Sequence, residues 1–336
     1  LPPNHGVRDN SGFRFPGEIE TLATLLQARG YRTGAFVSAF PLDSQFGLAR
    51  GFDVYEDSFV NVDTNPAFLV QERRAEETVA LARGWIDEEG DQPFFCWVHV
   101  FEPHYPYEPP ASIAARFPNQ PYLGEVAATD TALRPLLEPL LEEGASGRTL
   151  VVLTADHGEA LGEHGETTHG LFAYEGTLRI PLVLFAPRLF GPRTVEEPVG
   201  HVDLLPTVLD ALGIDVPDEV AGRTLLPLVA GQMAEGDPVY FEALSAALNR
   251  GWAPLYGVVQ GRLKLIDLPL PELYDLESDP AETRDLHRAR PQTTEELRHT
   301  LARFTSFGEE IRRQEETDEV RELSLIHISE PTRPPS

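Results

Sequence analysis

The sequence predicts an α/β fold, a largely parallel central sheet with helices on both faces, followed by a small C-terminal antiparallel subdomain and a helix. Three observations predict it. Apolar runs of strand length, such as Arg148–Ala155 and Ile180–Ala186, are continuous rather than alternating, as in strands buried on both faces. Stretches with helical apolar spacing separate them. After about Gly231 the pattern shifts to short strand-like runs with Gly or Pro between them, which reads as a small antiparallel sheet.

Taken in order, Gly17–Arg29 reads as a helix, with Ile19, Leu22, Leu25 and Leu26 on one face and Gly30 as its stop. Thr33–Ser38 reads as a short buried strand and Gly51–Tyr55 as a candidate for another. Val70–Glu89 has the spacing of an amphipathic helix, Pro93–Phe101 of an aromatic strand and Glu125–Leu141 of a helix. Arg148–Ala155 and Ile180–Ala186 follow as strands. Asp203 is expected to cap Leu204–Leu212, with Gly213 ending that helix. Pro238–Glu242, Leu255–Gln260, Leu263–Leu268 and Leu273–Leu276 are the antiparallel runs, and Thr294–Glu316 is the closing helix. The expected organisation is an α/β domain over 1–231, a subdomain over 232–322 and a tail over 323–336. That tail closely resembles the translation of a sequencing adapter and is expected to be non-native. The opening Leu1-Pro2-Pro3-Asn4 has loop chemistry and no initiator Met, so a fragment of a longer protein is expected.

Composition narrows the function. The 336 residues are 41% hydrophobic and 24% charged, within the globular range. A formal net charge of -27 argues against nucleic acid as a partner, since phosphate backbones attract Lys/Arg surfaces. No apolar run approaches the ~20 residues that cross a bilayer. Cys96 is the only cysteine, which excludes an intrachain disulfide and a thiolate cluster. Its apolar surroundings, Phe94–Phe101, read as those of a small buried hydrophobe.

The strongest local signal is Leu150-Val151-Val152-Leu153-Thr154-Ala155-Asp156-His157-Gly158-Glu159. A buried strand ends and presents a carboxylate beside an imidazole, and sites in such sheets form at the carboxyl ends of strands. Asp156 and His157 can both ligate a divalent cation. Gly158 is expected to let the backbone turn away. In isolation the triplet reads more readily as a surface turn in which Asp156 caps a helix, but other histidines stand around it. His164 and His169 follow, and His99 and His104 frame a second strand end, Val98-His99-Val100-Phe101-Glu102-Pro103-His104. Imidazoles so placed suit acid–base work near neutral pH.

These blocks together resemble the sulfatases of the alkaline phosphatase superfamily. The resemblance rests on Asp156-His157-Gly158-Glu159, His169-Gly170, Tyr174-Glu175 and Leu178-Arg179-Ile180-Pro181, on Glu102-Pro103-His104-Tyr105-Pro106-Tyr107, on His201-Val202-Asp203-Leu204-Leu205-Pro206-Thr207, and on the segment Glu272–Glu282. They occur in family order, and His5–Asn10 is similar to the segment just after the family's nucleophile motif. The resemblance implies an alkaline phosphatase-like fold and hydrolysis of a sulfate ester by a formylglycine nucleophile. That nucleophile arises from Cys/Ser-x-Pro-x-Arg and is expected to lie outside this fragment, which is then inactive alone. Cys96 lacks the Pro and Arg and is not it.

The resemblance further implies Asp156 and His157 as ligands of one divalent cation, calcium in most sulfatases, although nitrogen from His157 suits manganese or zinc better. It implies His104 as proton donor to the leaving oxygen and His169 as a contact to sulfate. The expected partner is a small-molecule or glycan sulfate ester, and the expected location is periplasmic or secreted. His164 could face the pocket or the surface, and His99 the core or the site. His201 reads as structural, Asp130 as a helix-face residue, Arg179 as a partner of Glu175, and Tyr105 and Tyr107 as pocket lining or loop packing. Specificity would lie in 57–68 and 110–123. The alternatives are a phosphodiester or phosphonate hydrolase or phosphoethanolamine transferase of the same superfamily, or a non-catalytic binding relative.

Overall fold

The computed structural model describes residues 1–10, 12–59, 72–88, 90, 92–142, 147–232 and 236–305. The adapter-like tail, residues 60–68 and the closing helix beyond Thr305 lie outside the described residues, as do Val70, Gln71 and Glu89 of the expected amphipathic helix. The α/β fold is present. The described residues fall into two compact units, one of residues 5–142 and one of residues 1–4 with 147–305.

In the 5–142 unit, strands β1 (Arg32–Phe36), β2 (Val54–Glu56) and β3 (Phe94–Val98) form a parallel sheet in the order β2-β1-β3. Successive side chains of a strand point to opposite faces. Phe94, Cys96 and Val98 therefore meet Trp85 and Ala82 of the helix Ala75–Ile86. Phe95 and Trp97 stack on Phe52 from the other side. Gly34 is needed for this packing, because a Cβ there would sit 2.9 Å from the Trp85 ring. Burial pushes the Cys96 thiol up to about 12, so this cysteine is inert.

The first helix is shorter than its apolar spacing suggests. It runs Leu22–Gln27, because Thr21 caps it: the Thr21 side chain accepts from Thr24 N and the Thr24 hydroxyl accepts from Thr21 N. The helix Pro121–Leu141 begins four residues before its expected start, and 110–123 is not all loop, since Ala111–Ala114 is helical.

In the second unit, β4 (Val151–Thr154) and β5 (Leu182–Phe185) pair antiparallel. Strands β6 (Val239–Ala243), β7 (Leu255–Gln260), β8 (Leu263–Asp267) and β9 (Glu272–Asp275) form an antiparallel meander in chain order. One face, with Val258, Leu265 and Leu273, is covered by Leu297 and Leu301 of the helix Pro291–Thr305. The other face packs Phe241, Ile266 and Tyr274 against Ala173 and Tyr174.

On that second face lies Lys264, the single lysine of the chain and fully buried. Its ammonium stands 2.7 Å from Glu282 Oε1 and 3.2 Å from Glu175 Oε1, with the Phe241 ring centroid at 5.5 Å. The other oxygen of Glu282 accepts from the Glu175 backbone N–H at 2.6 Å. Glu175 thus pairs with Lys264 rather than with the exposed Arg179. Removing one partner of a buried pair leaves an uncompensated charge and costs about 3–5 kcal/mol. Lys264→Met is expected to lower stability by an amount of that order in urea unfolding, and Lys264→Met/Glu282→Gln to recover part of it. Because the chain has one lysine, amine acylation read by mass spectrometry should leave Lys264 unlabelled in the native protein and label it in urea.

The 5–142 unit carries a different electrostatic feature. Burial pushes Glu72 and Glu125 up to about 7, and Glu102 adds to both. Each holds in the fold a proton that it would release near 4.5 when unfolded. The stability they contribute is therefore full below 4.5 and lost as pH rises through about 7. Glu72→Gln is expected to flatten the fall in melting temperature between pH 4.5 and 7.5; an unchanged slope would contradict this assignment.

Candidate active site

The site of the second unit is built on the turn after β4. Gly158 N donates to Thr177 O at 2.8 Å, tying that turn to the short helix Glu175–Leu178. A Cβ on Gly158 would lie 2.4 Å from the Gly176 carbonyl oxygen, so glycine is required here by close approach, not by a reversal of the backbone. His201 fixes the same turn from the other side, its Nε2 lying 2.7 Å from Ala155 O. This structural role agrees with the reading of His201 from sequence.

Asp156 Oδ1 accepts from His157 N at 2.9 Å, and Oδ2 lies 3.6 Å from His157 Nε2. His157 Nδ1 is 3.0 Å from Gly158 O. A carbonyl only accepts, so Nδ1 carries the hydrogen and Nε2 keeps its lone pair. One hard oxygen and one imidazole nitrogen thus face each other at a separation suited to two neighbouring ligands of one cation.

His169 joins this pair. Its ring centroid is 4.0 Å from that of His157. Glu159 Oε1 meets His169 Nδ1 in a short contact, and the Glu159 side chain is 4% exposed. One ligand atom from each of His157, Glu159 and His169 lies within 4.8 Å of the others. Glu159 stands in the Asp156-His157-Gly158-Glu159 block, but its pairing with His169, ten residues on, has no signal in the sequence. The loop between them closes the gap, with Ala160 N donating to Thr168 O and Gly162 N to Glu166 O, both at 2.8 Å. Buried Glu166 then holds the far side, accepting from Leu171 N at 2.7 Å and Phe172 N at 3.3 Å. Burial raises the Glu166 carboxyl, and these backbone donors and His169 oppose the rise.

The remaining histidine of this loop is structural. His164 stacks on Tyr174 with centroids 3.7 Å apart, and its Nε2 lies 3.2 Å from Ala281 O. Asp203 does not cap the helix Leu204–Ala211 with its side chain. Its carboxylate accepts instead from Gly200 N and Arg223 N, both at 3.0 Å, which staples two loops together.

His104 belongs to the 5–142 unit. Its Nδ1 is 2.6 Å from Tyr105 O, so Nδ1 carries the hydrogen and Nε2 is the atom able to exchange a proton. The ring stacks on Phe101 at 4.1 Å. Its backbone is held by Glu125, a buried residue whose carboxylate accepts from His104 N at 3.1 Å and Glu108 N at 2.7 Å. Tyr105 and Tyr107 meet edge to face at 5.9 Å and Tyr107 meets Tyr122, so they pack the loop. The His99 backbone extends β3 by one bond, donating to Phe36 O at 2.9 Å. Asp130 is exposed on the helix Pro121–Leu141, as expected of a helix-face residue.

Comparison with known proteins identifies the family and the fold. Residues 2–214 match the sulfatase family, and residues 162–306 match the family described as N-sulphoglucosamine sulphohydrolase, C-terminal. Arylsulfatase K of Xenopus laevis is 28% identical over 202 residues, which cover 55% of this chain and 37% of that protein. The chain spans about a third to a half of the length of the curated relatives it matches. Among solved structures, a protein in complex with its substrate D-glucosamine-2-N,6-O-disulfate superposes with a TM-score of 0.74 at 20% identity, over 91% of this chain and 85% of the other. Phosphonate monoester hydrolase of Agrobacterium radiobacter gives 0.69 at 21% identity, over 91% and 83%. At these identities the superpositions speak for the fold. The family match covers residues 2–214 of the 336, and the chain belongs to the sulfatase family.

Proposed function

We propose that this chain carries the cation-binding part of the active site of a sulfuric ester hydrolase. The observation that carries the reading is the Asp156–His157 pair, with Oδ2 and Nε2 3.6 Å apart and Nδ1 committed to Gly158 O. That donor pair fits a divalent cation, which when bound polarises the oxygens of the ester. Calcium is the ion of most members, while the imidazole donor favours manganese or zinc.

The chain's own residues do the rest. By the family resemblance His104, whose Nδ1–H is held by Tyr105 O, is the proton donor to the leaving oxygen, giving the Nε2 proton of its imidazolium form and returning to the neutral ring. His169, with Nδ1 turned to Glu159, would donate from the N–H of its other nitrogen to an oxygen of the sulfate. The formylglycine nucleophile comes from residues outside the sequence. The letters of Ser-x-Pro-x-Arg do occur once, at Ser329-Glu330-Pro331-Thr332-Arg333. That segment lies in the adapter-like tail, outside the described residues. It also follows His5–Asn10, whereas the family order places the nucleophile before it. The substrate class is a small-molecule or glycan sulfate ester, and the match to an N-sulphoglucosamine sulphohydrolase C-terminal region supports a sulfated sugar.

Aryl sulfate hydrolysis tests this. The chain alone is expected to give no turnover, and the protein with its upstream residues to give turnover that falls about 10²-fold or more in His104→Ala. Asp156→Asn is expected to weaken both divalent-cation binding and turnover. Turnover by the chain alone that survives both substitutions would sink the assignment. A second reading, hydrolysis of a phosphonate monoester on the same fold, is favoured by the superposition on the Agrobacterium enzyme. An aryl phosphonate cleaved faster than the matched aryl sulfate would select it.

A further inference from the structure

We infer that a cleft built wholly from residues of the 5–142 unit binds a hydroxylated small-molecule acid, with Arg50 gripping its anionic group. The cleft has a volume of about 740 Å³, and its walls include Arg14, Phe15, Glu18, Ser44 and Arg50. Small-molecule sites occupy about 300–1,000 Å³. The strands β1, β2 and β3 run parallel, so their carboxyl ends share one edge of the sheet, where ligands of such folds bind. Ser44 N donates at 2.7 Å to Asp57, the residue after β2, which pins one wall of the cleft at that edge. Phe15 N donates to Phe46 O at 2.8 Å and joins the second wall to the first.

Arg50 is the observation that carries the inference. Its Nε and Nη2 are closed off from water and have no hydrogen-bond partner. These two nitrogens point their hydrogens the same way, along the guanidinium edge that grips two oxygens of a carboxylate or sulfate at once. A charged donor left buried and unpaired is costly. Acids are abundant, 54 against 27 Lys and Arg, yet among the described residues none pairs with Arg50. Asp43 and Asp57, beside Ser44, are taken by the backbone N–H groups of Gln45 and Ser44.

Arg14 brings a second, exposed guanidinium to the same cleft. Gly47, at φ +90°, lets the walls approach, since a Cβ there would stand 2.7 Å from Phe15 O and 3.4 Å from Arg14 Cγ. Arg50 as a whole is half-buried and lines the cleft, so a turn about its last side-chain bonds presents the fork edge to a ligand. A free inorganic anion would fill a small part of this volume. An acid with a hydroxylated body would fill more of it and bond its hydroxyl groups to the exposed Glu18 and Ser44. The inference uses none of Asp156, His157, His169 or His104, and it stands whether or not the ester is a sulfate.

Glucuronate titrated into the full 336-residue chain, read by calorimetry and by the arginine Nε–H signals in NMR, tests it. Glucose and sodium sulfate serve as the neutral and the inorganic comparisons. Glucuronate is expected to shift the Arg50 Nε–H signal, which is identified by its loss in Arg50→Lys, and glucose to leave it unmoved. Arg50→Lys keeps the charge without the fork and is expected to weaken glucuronate about tenfold or more. A wild-type Arg50 signal that glucuronate leaves unmoved would overturn the site, and that measurement needs no variant to fold. Glucuronate affinity unchanged in Arg50→Lys would overturn it as well. Sodium sulfate bound as tightly as glucuronate would overturn the hydroxylated body and leave a site for a free oxyanion.

Discussion

The buried ammonium of Lys264 is the interaction on which the site of the second unit depends. It sits on β8 and grips Glu282 and Glu175 at once. Glu175 opens the helix Glu175–Leu178, the Thr177 carbonyl of that helix accepts from Gly158, and Gly158 closes the turn that carries Asp156 and His157. The antiparallel meander therefore sets the position of the Asp156–His157 turn through three short links. A guanidinium would not replace the ammonium here, because its planar fork needs more room than a compact three-donor head. All other Lys/Arg positions of the chain are arginine, and the one lysine occupies a place where a fully buried compact cation is required.

On the proposed function, the same turn is where an acidic protein would make a place for an anion. A net charge of -27 repels a sulfate ester at long range, and salt screens that repulsion beyond about 8–10 Å. At contact distance the local groups decide. His157 and His169 bring imidazoles, and Asp156 and Glu159 bring the carboxylates that attract a cation or hold an imidazole in place. In the proposed site the carboxylates would not oppose an anion with a cation standing between, since they would be what holds the positive charge there.

Local signals in the sequence located the elements, and long-range partners escaped it. Continuous apolar runs marked β4 and β5 to within three residues of their ends, although both strands are only half-buried and Val183 is exposed, and Leu255–Gln260 coincides with β7, where burial on both faces writes itself into consecutive residues. The first helix was overlong, since apolar spacing continues through Ile19 while the Thr21–Thr24 capping box starts the helix at Leu22. Asp203 carries the letters of a cap, yet its carboxylate is taken by Gly200 and Arg223, the latter twenty residues away. Arg179 stood beside Glu175 in sequence, and a lysine 89 residues on is its true partner. Asp156, His157, His104 and His169 stand out as candidates in the sequence because they sit at strand ends or in Gly-flanked loops. Glu159 and Glu125 do not, because their roles exist only once a loop or a helix brings a second group to them.

Glu125 shows why such a residue is an acid and not an amide. It reaches from the helix Pro121–Leu141 to two backbone N–H groups of the His104 loop, one on each oxygen. An amide offers a single acceptor and would turn its NH₂ toward one of those donors. Burial, with Glu102 and Glu72 nearby, lifts the carboxyl to about 7, so its charge is costly where it stands. The two backbone bonds oppose that rise and strengthen as the proton leaves, since an ionised acceptor binds N–H more tightly than a neutral one. The loop that positions His104 is thus held most firmly in the form that the surrounding carboxylates most resist. The hold on His104 and the stability of its unit therefore respond to pH in opposite directions, and both change in the range where an imidazole itself titrates.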